Sequence, residues 1–201
     1  SPALYSTLAQ RGYFDKKELL NFRGIDSILQ GHPDMKHIPG VDMSTGSLGQ
    51  GLSCANGMAL SSKLNGDGFR VYCLVGDGEI EEGQIWEAAM SASHYKLDNL
   101  CVIVDNNNLQ IDGTITDVMS SYPINLKFES FGFNVINIDG HNIEEIIDAF
   151  NRAKTVKGRP TVVIAKTIKG KGVSFMENQV GWHGKAPNEE QYNQAISELR
   201  K

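Results

Sequence analysis

The sequence predicts an α/β fold with a central, mostly parallel sheet and helices on both faces. Short runs rich in Val and Ile alternate with longer stretches of helical periodicity, as expected when each strand is followed by a crossover helix. The strand-like runs are apolar at almost every position, which is typical of a sheet covered on both faces. A chain of 201 residues is expected to form a single domain, residues 1–201.

Four runs are predicted to be strands, because they are short, rich in β-branched residues and followed by turn-forming residues. The predicted strands are residues 71–75, 101–105, 133–138 and 161–166. Four other stretches are predicted to be helices from the spacing of their apolar side chains, although small residues interrupt this spacing in the first two. The predicted helices are residues 48–65, 82–95, 142–157 and 189–199.

Composition argues against several classes of protein. The chain has 19 Lys and Arg against 24 Asp and Glu, a formal charge of −5, whereas general binders of nucleic acids or anionic membranes need a basic surface. Its apolar runs are too short to span a bilayer. Three cysteines without CxxC spacing argue against a disulfide framework or a zinc knuckle. We therefore expect structural thiols in a reducing, cytoplasmic compartment.

Every predicted strand ends in glycines or polar residues. Ligands of parallel α/β sheets bind beyond the carboxyl ends of the strands, so four such endings predict one polar binding edge. The endings are Gly-Asp-Gly at 76–78, Asn-Asn-Asn at 106–108, Asp-Gly-His at 139–141 and Thr-Ile-Lys-Gly-Lys-Gly at 167–172.

Asp77 and Asn107 form the strongest pair at this predicted edge. They are thirty positions apart, a spacing that fits one crossover helix and brings the two strand ends side by side. The Asp77 carboxylate and the Asn107 carbonyl oxygen could face one hard cation, with a backbone carbonyl such as that of Leu109 as a third ligand. Phosphate oxygens and water would complete the set of about six oxygens that Mg²⁺ prefers. Taken alone, each loop could be an ordinary turn.

Three separate segments carry a resemblance to a known family. Residues 76–113 resemble the motif of thiamine-diphosphate enzymes, in which Gly-Asp-Gly is followed about thirty residues later by an Asn-rich end. Gly31-His32-Pro33 with PGVDMSTGSLGQGLS at 39–53, and TIKGKGVSFMENQVGWHGKAP at 167–187, are similar to transketolase specifically. The resemblance runs across nearly the whole chain.

The resemblance implies thiamine diphosphate as cofactor, together with Mg²⁺ or Ca²⁺. The metal ligands that it implies are Asp77, Asn107 and the Leu109 carbonyl. The cofactor-binding residues that it implies are Gly46, Ser47 and Leu48 against the aminopyrimidine ring, Gly78 and Asn107 on the diphosphate, Lys169 near the diphosphate, and His183.

The same resemblance implies roles toward the substrate and toward a neighbouring subunit. His183 matches a histidine near both cofactor and substrate, and His32 matches one that approaches the substrate hydroxyls. Glu82 matches a carboxylate at the subunit interface. The residues alone leave alternatives open, because a lysine in a loop is often solvated and residues 46–51 could be a flexible turn. Residues 46–51 do not match a Rossmann fingerprint, and residues 169–172 do not match a Walker loop. His141 could be structural or functional.

The family pattern is incomplete at both ends of this sequence. A Gly-His segment that precedes the family's equivalent of Ser1 is missing, so we expect the chain to lack an upstream segment. The glutamate that activates the cofactor belongs to a second α/β domain, beyond Lys201. We expect the first subunit of a split transketolase, inactive without a partner that supplies that glutamate; a truncated longer protein is the other explanation.

The implied reaction is transfer of a two-carbon ketol unit from a ketose phosphate to an aldose, in a hetero-oligomer built on a dimer. Two alternatives remain. One is a subunit of another thiamine-diphosphate enzyme, either a deoxyxylulose-phosphate synthase or a 2-oxoacid dehydrogenase, and residues 39–51 argue against both. The other is a non-catalytic metal-binding or nucleotide-binding domain.

Overall fold

The computed structural model describes residues 1–200, and the chain divides into two compact units, residues 1–51 and the part from Leu52 onward. The strands are β1 Val71–Gly76, β2 Leu100–Asn106, β3 Leu109–Gln110, β4 Gly113–Thr114, β5 Asn134–Asp139 and β6 Thr161–Lys166. The α-helices are α1 Pro2–Gln10, α2 Gln50–Asn65, α3 Gly83–His94, α4 Ile115–Val118, α5 Ile124–Ser130, α6 Ile143–Thr155 and α7 Glu189–Leu199. Turns of 3₁₀ helix occur at Lys16–Asn21, Glu79–Glu81 and Val180–Trp182.

The central sheet has four strands in the order β1-β2-β6-β5. Every neighbouring pair is parallel, with Gly76 opposite Asp105, Asn106 opposite Lys166, and Asp139 also opposite Lys166. The four carboxyl ends therefore lie at the same edge, as the sequence predicts. The predicted α/β fold with a parallel sheet is confirmed.

Helices cover both faces of the sheet. One face buries alternate strand residues such as Val75, Val102 and Ile164 against α2, α3 and α5. The other face buries Cys101 and Val163 with side chains of α6. Three alanines of α3, at 88, 89 and 92, are fully or almost fully buried, and their small side chains allow that helix to approach the strands closely. On β1 the α6 side of the sheet stays exposed at Tyr72 and Leu74.

The first unit has its own small core. Tyr5 and Leu8 of α1 pack with Leu29 and Ile38 from the following loops, and the Tyr5 hydroxyl donates a hydrogen bond to the Gln30 carbonyl at 2.7 Å. Long loops dominate this unit, so its chain path depends on local turns and not on a sheet. No helix within residues 1–200 is both long and apolar enough to cross a membrane.

Some elements differ from the predicted ones. The helix expected from residue 48 begins at Gln50, because Gly49 has a φ of 81°, which a right-handed helix does not allow. The hairpin of β3 and β4 and the short helices α4 and α5 were not predicted. Elements of two to seven residues contain too few positions to show a period.

Candidate functional site

Asp77 directly follows β1 and is almost completely buried. Its carboxylate accepts the Gly78 N–H at 3.0 Å and the Asn108 N–H at 2.5 Å. Its own N–H donates to the Asp105 carbonyl at 3.1 Å. The loops after β1 and β2 are therefore joined through one carboxylate.

The electrostatics of Asp77 are those of a buried carboxyl beside a second acidic residue. Burial raises the pKa of the Asp77 carboxyl to about 6, and the negative charge of Asp105 adds to this; the backbone N–H groups of Asn108 and Gly78 offset part of the increase. A divalent cation at this carboxylate would stabilise the ionised form. The residues therefore fit a cation in charge as well as in chemistry.

The loop after β2 supplies further oxygens beside Asp77. The half-buried Asn107 accepts the Leu109 N–H at 3.0 Å through its Oδ1, which keeps a second lone pair for another partner. Asn108 has a φ of 63°, and its N–H donates to the Asp77 carboxylate. A carboxylate, an amide oxygen and a backbone carbonyl are oxygen groups of the kind that Mg²⁺ and Ca²⁺ prefer.

Gly78 is held where a side chain would not fit. A Cβ at this position would lie 2.8 Å from the Cβ of Gln110, closer than carbon atoms approach without a shift of the backbone. Its N–H is engaged by the Asp77 carboxylate. The glycine thus allows the loop after β1 to meet the β3–β4 hairpin.

The loop after β6 is tied to the loop after β2. Thr167 donates its N–H to the Asn106 carbonyl at 3.1 Å, and its hydroxyl donates a short hydrogen bond to the Asp105 carboxylate. Lys169 follows two residues later and is half-buried, and its carbonyl accepts the Asn178 N–H at 3.0 Å.

A cleft of about 440 Å³ opens at this edge of the sheet. Asn107 and Lys169 both line it, together with Asp105, Thr167 and His141. Its inner wall is the apolar sheet face on the α6 side, including Ile103 and Val163. The cleft therefore joins a polar end to an apolar wall, a combination typical of small-molecule binding sites.

Comparison with known proteins decides the family. The family model described as "Transketolase, thiamine diphosphate binding domain" matches residues 1–200. The chain belongs to this family. The resemblance to transketolase that the sequence motifs indicate is thereby confirmed.

Two curated relatives of this transketolase-family chain are named as transketolase subunits. The chain is 44% identical over 200 residues to the 6-deoxy-6-sulfo-D-fructose transketolase subunit SqwG of Clostridium sp. (strain MSTE9), covering 100% of this chain and 73% of that protein. It is 42% identical over 197 residues to one subunit of the apulose-4-phosphate transketolase of Phocaeicola vulgatus, covering 98% of this chain and 70% of that protein.

A solved structure supports the same fold. The transketolase of Campylobacter jejuni matches with a TM-score of 0.90 at 36% identity, over 96% of this chain and 32% of that one. The transketolase-family chain therefore spans about a third of the length of that protein.

The remaining predicted site residues of this transketolase-family chain lie on loops. His183 is exposed just after the 3₁₀ turn that ends at Trp182, whose indole N–H donates to the Phe175 carbonyl at 2.9 Å and anchors the turn. Glu82 is exposed at the N-cap of α3. These positions are compatible with the predicted roles of both residues, which stay predictions.

In the first unit the structure brings His32 and Gly46 together. Gly46 has a φ of 133°, and a Cβ there would lie 2.6 Å from the imidazole Nδ1 of His32. Ser47 and Leu48 follow and are exposed. The bare backbone at Gly46 thus meets the ring of His32, a contact that sequence reasoning missed.

Sequence reasoning also missed Asp105, Thr167 and Tyr122 as partners of the site. The Tyr122 hydroxyl donates to the Asn106 side-chain oxygen at 2.8 Å. Burial raises the pKa of this phenol, and the charge of Asp77 raises it further. Asp105 is the first polar residue of an apolar strand, and this position could have indicated a place at the binding edge. No pattern in the sequence indicates Tyr122.

Proposed function

We propose that this chain is the diphosphate-binding and metal-binding subunit of a transketolase, acting as one domain over residues 1–201. The joined loops at Asp77 and Asn107, in a chain of the transketolase family, carry the proposal. The reaction is transfer of a two-carbon ketol unit from a ketose phosphate to an aldose. Thiamine diphosphate, when bound, supplies the carbon that holds the negative charge of the transferred unit.

The chain's own residues hold and orient the reactants. Asp77, Asn107 and the Leu109 carbonyl would hold Mg²⁺ or Ca²⁺, which would supply positive charge to offset that of the diphosphate. Gly78 and Asn107 contact the diphosphate, while Lys169 adds a positive charge beside it. Gly46, Ser47 and Leu48 bind the aminopyrimidine ring, largely through backbone.

The two histidines act on the sugar. His32 donates hydrogen bonds to hydroxyl oxygens of the substrate. His183 contacts the cofactor and holds a proton near the substrate oxygen that gains charge during the reaction. Their loop positions suit these roles, because a loop can present an imidazole to a ligand from outside the sheet.

Activity requires a partner subunit with the pyrimidine-binding domain and the activating glutamate. Two relatives are themselves named as subunits of transketolases, which supports a hetero-oligomer built on a dimer, with Glu82 at its interface. Three free cysteines support a cytoplasmic location.

Two measurements test this function. Calorimetric titration of the chain with its partner should show thiamine diphosphate binding that depends on Mg²⁺, and no comparable binding of ATP with Mg²⁺. A two-carbon transfer assay should show turnover of ketose phosphates only when both subunits are present. Preference for ATP would identify a nucleotide-binding domain, and preference for pyruvate a different thiamine-diphosphate enzyme; either result contradicts the proposal.

A further inference from the structure

The turn at the end of β5, which includes residues 139–142, packs tightly against the end of β6. The Gly140 N–H donates to the Lys166 carbonyl at 2.8 Å. A Cβ at Gly140 would lie 2.5 Å from the Thr167 Cγ2 and 3.0 Å from the Ala165 Cβ. Only a glycine therefore allows the loop to come this close to Thr167.

The next residue, His141, makes a hydrogen bond that fixes the β6 loop. Its Nε2 accepts the Ile168 N–H at 2.8 Å, so the neutral ring carries its proton on Nδ1. Ile168 immediately precedes Lys169, and all three residues line the cleft.

The position of His141 is itself determined by the start of α6. The His141 N–H donates to the Asp139 carboxylate at 2.9 Å, and the Asp139 N–H donates to Glu145 at 2.8 Å. Glu145 also accepts a hydrogen bond from the Asn142 side chain at 2.9 Å. Carboxylates that accept backbone N–H groups hold a loop firmly, so the backbone of His141 is fixed. The imidazole of this exposed residue is then held by its hydrogen bond with the Ile168 N–H.

Hydrogen bonds thus link the four strand ends in their order within the sheet. Asp77 contacts the loop after β2, Thr167 contacts Asp105 of β2, and His141 contacts Ile168. Lys169 would be less constrained without the last of these bonds.

We propose that His141 is a positioning residue, which holds the loop 167–170 so that Lys169 is set for the diphosphate. The proposal rests on the function proposed above. It adds a role for a residue that neither the metal loops nor the substrate-facing histidines include.

The test compares His141→Phe with His141→Gln in the full chain. Phe keeps a ring but removes the acceptor, whereas the Gln side-chain oxygen can take the place of Nε2. We expect amide exchange at Ile168 to be at least about tenfold faster in H141F and close to the wild-type rate in H141Q. With the partner present, we expect H141F to weaken thiamine diphosphate binding by about threefold to tenfold, and H141Q to restore it.

A purely structural role would give a different pattern, with a loss of melting temperature that H141Q does not rescue. In the assembled enzyme, H141F should raise the cofactor concentration needed for half-maximal rate and leave kcat at saturating cofactor nearly unchanged. Equal Ile168 exchange in wild type and H141F, or equal cofactor affinity, overturns the role of His141.

A substitute variant and the wild-type control separate failure of the positioning role from failure of the proposed function. If H141F does not fold, His141→Ala serves instead, because it removes the Nε2 acceptor of the Ile168 N–H without adding bulk; it should weaken the cofactor similarly, and unchanged affinity overturns the proposal. A wild type that binds no thiamine diphosphate contradicts the proposed function, whereas a binding wild type with an equally tight H141F contradicts only the positioning role.

Discussion

The burial and hydrogen bonds of Asp77 determine the electrostatics of the candidate site. A carboxylate that is only 1% exposed usually has a cationic partner, and here, within residues 1–200, its oxygens accept hydrogen bonds from backbone N–H groups. The pKa of about 6 records the cost of that burial. A divalent cation at this carboxylate would favour its ionised form and so offset that cost.

Asp77→Asn should abolish Mg²⁺-dependent binding of thiamine diphosphate, because an amide is a weaker ligand and one of its two groups is a donor. Calorimetric titration of the chain with its partner measures this. Asp112→Asn changes an exposed carboxylate in the same hairpin region and should bind like wild type. Equal binding by both variants would remove Asp77 from the metal site.

Gly46→Ala should lower kcat/KM of the assembled enzyme by about 10- to 100-fold, because the new methyl group displaces His32. The φ of 133° adds backbone strain for any residue other than glycine. Steady-state assays with a ketose phosphate donor measure the effect. Gly57→Ala is the control, since its Cβ meets nothing within 4 Å, and its activity should equal that of wild type.

At the scale of elements, the start of α6 couples helix stability to the binding edge. Asn142 caps the helix by accepting the N–H groups of Glu144 and Glu145, and it follows His141 directly. The cap therefore stabilises both the helix and the loop that touches Ile168.

Asn142→Ala should reduce the free energy of unfolding by about 1 kcal/mol, the usual value of a side-chain N-cap. Urea unfolding measures this change. The control, Asn151→Ala, lies inside the exposed part of the same helix, where alanine is a better helix former, so it should not destabilise the protein. A similar loss in both variants would mean that the cap contributes nothing.

The sequence predicted that the loops after β1 and β2 lie together, but it did not predict the contacts that the loops after β5 and β6 make. Asp77 and Asn107 could be paired because consecutive parallel strands with one crossover helix usually lie side by side. The contact of Thr167 with Asp105 needs β6 to lie between β2 and β5, and strand order is not readable from periodicity. The contact of His141 with Ile168 depends on that same strand order and on the side-chain rotamer of His141. For this reason the sequence left the role of His141 open.

At the scale of the whole molecule, the sheet was predictable and the first unit was not. Strands and crossover helices have periods that one sequence shows clearly. Residues 11–49 contain one 3₁₀ turn and long loops, which have no period. Their segment GHP and residues 39–53 were informative only through the resemblance to transketolase.

Cofactor and metal together should stabilise the protein by mass action. At a hundredfold excess over the dissociation constant the gain is about 2.7 kcal/mol, which raises the melting temperature of a chain this long by roughly 5–10 °C. Thermal melts of the chain with its partner measure this. Thiamine diphosphate with EDTA, or Mg²⁺ alone, should give a much smaller shift; an equal shift with EDTA would mean that the cofactor binds without the metal.

The central place of β6 has a consequence for how the chain is made. β6 is the last strand to be synthesised, yet it pairs with both β2 and β5, and Cys101 meets Thr161 sixty positions later. At cellular rates of translation, β2 leaves the ribosome about 3–12 s before its inner neighbour exists. During that interval an apolar strand has an open edge, so nascent chains should need chaperone protection until Lys166 has emerged.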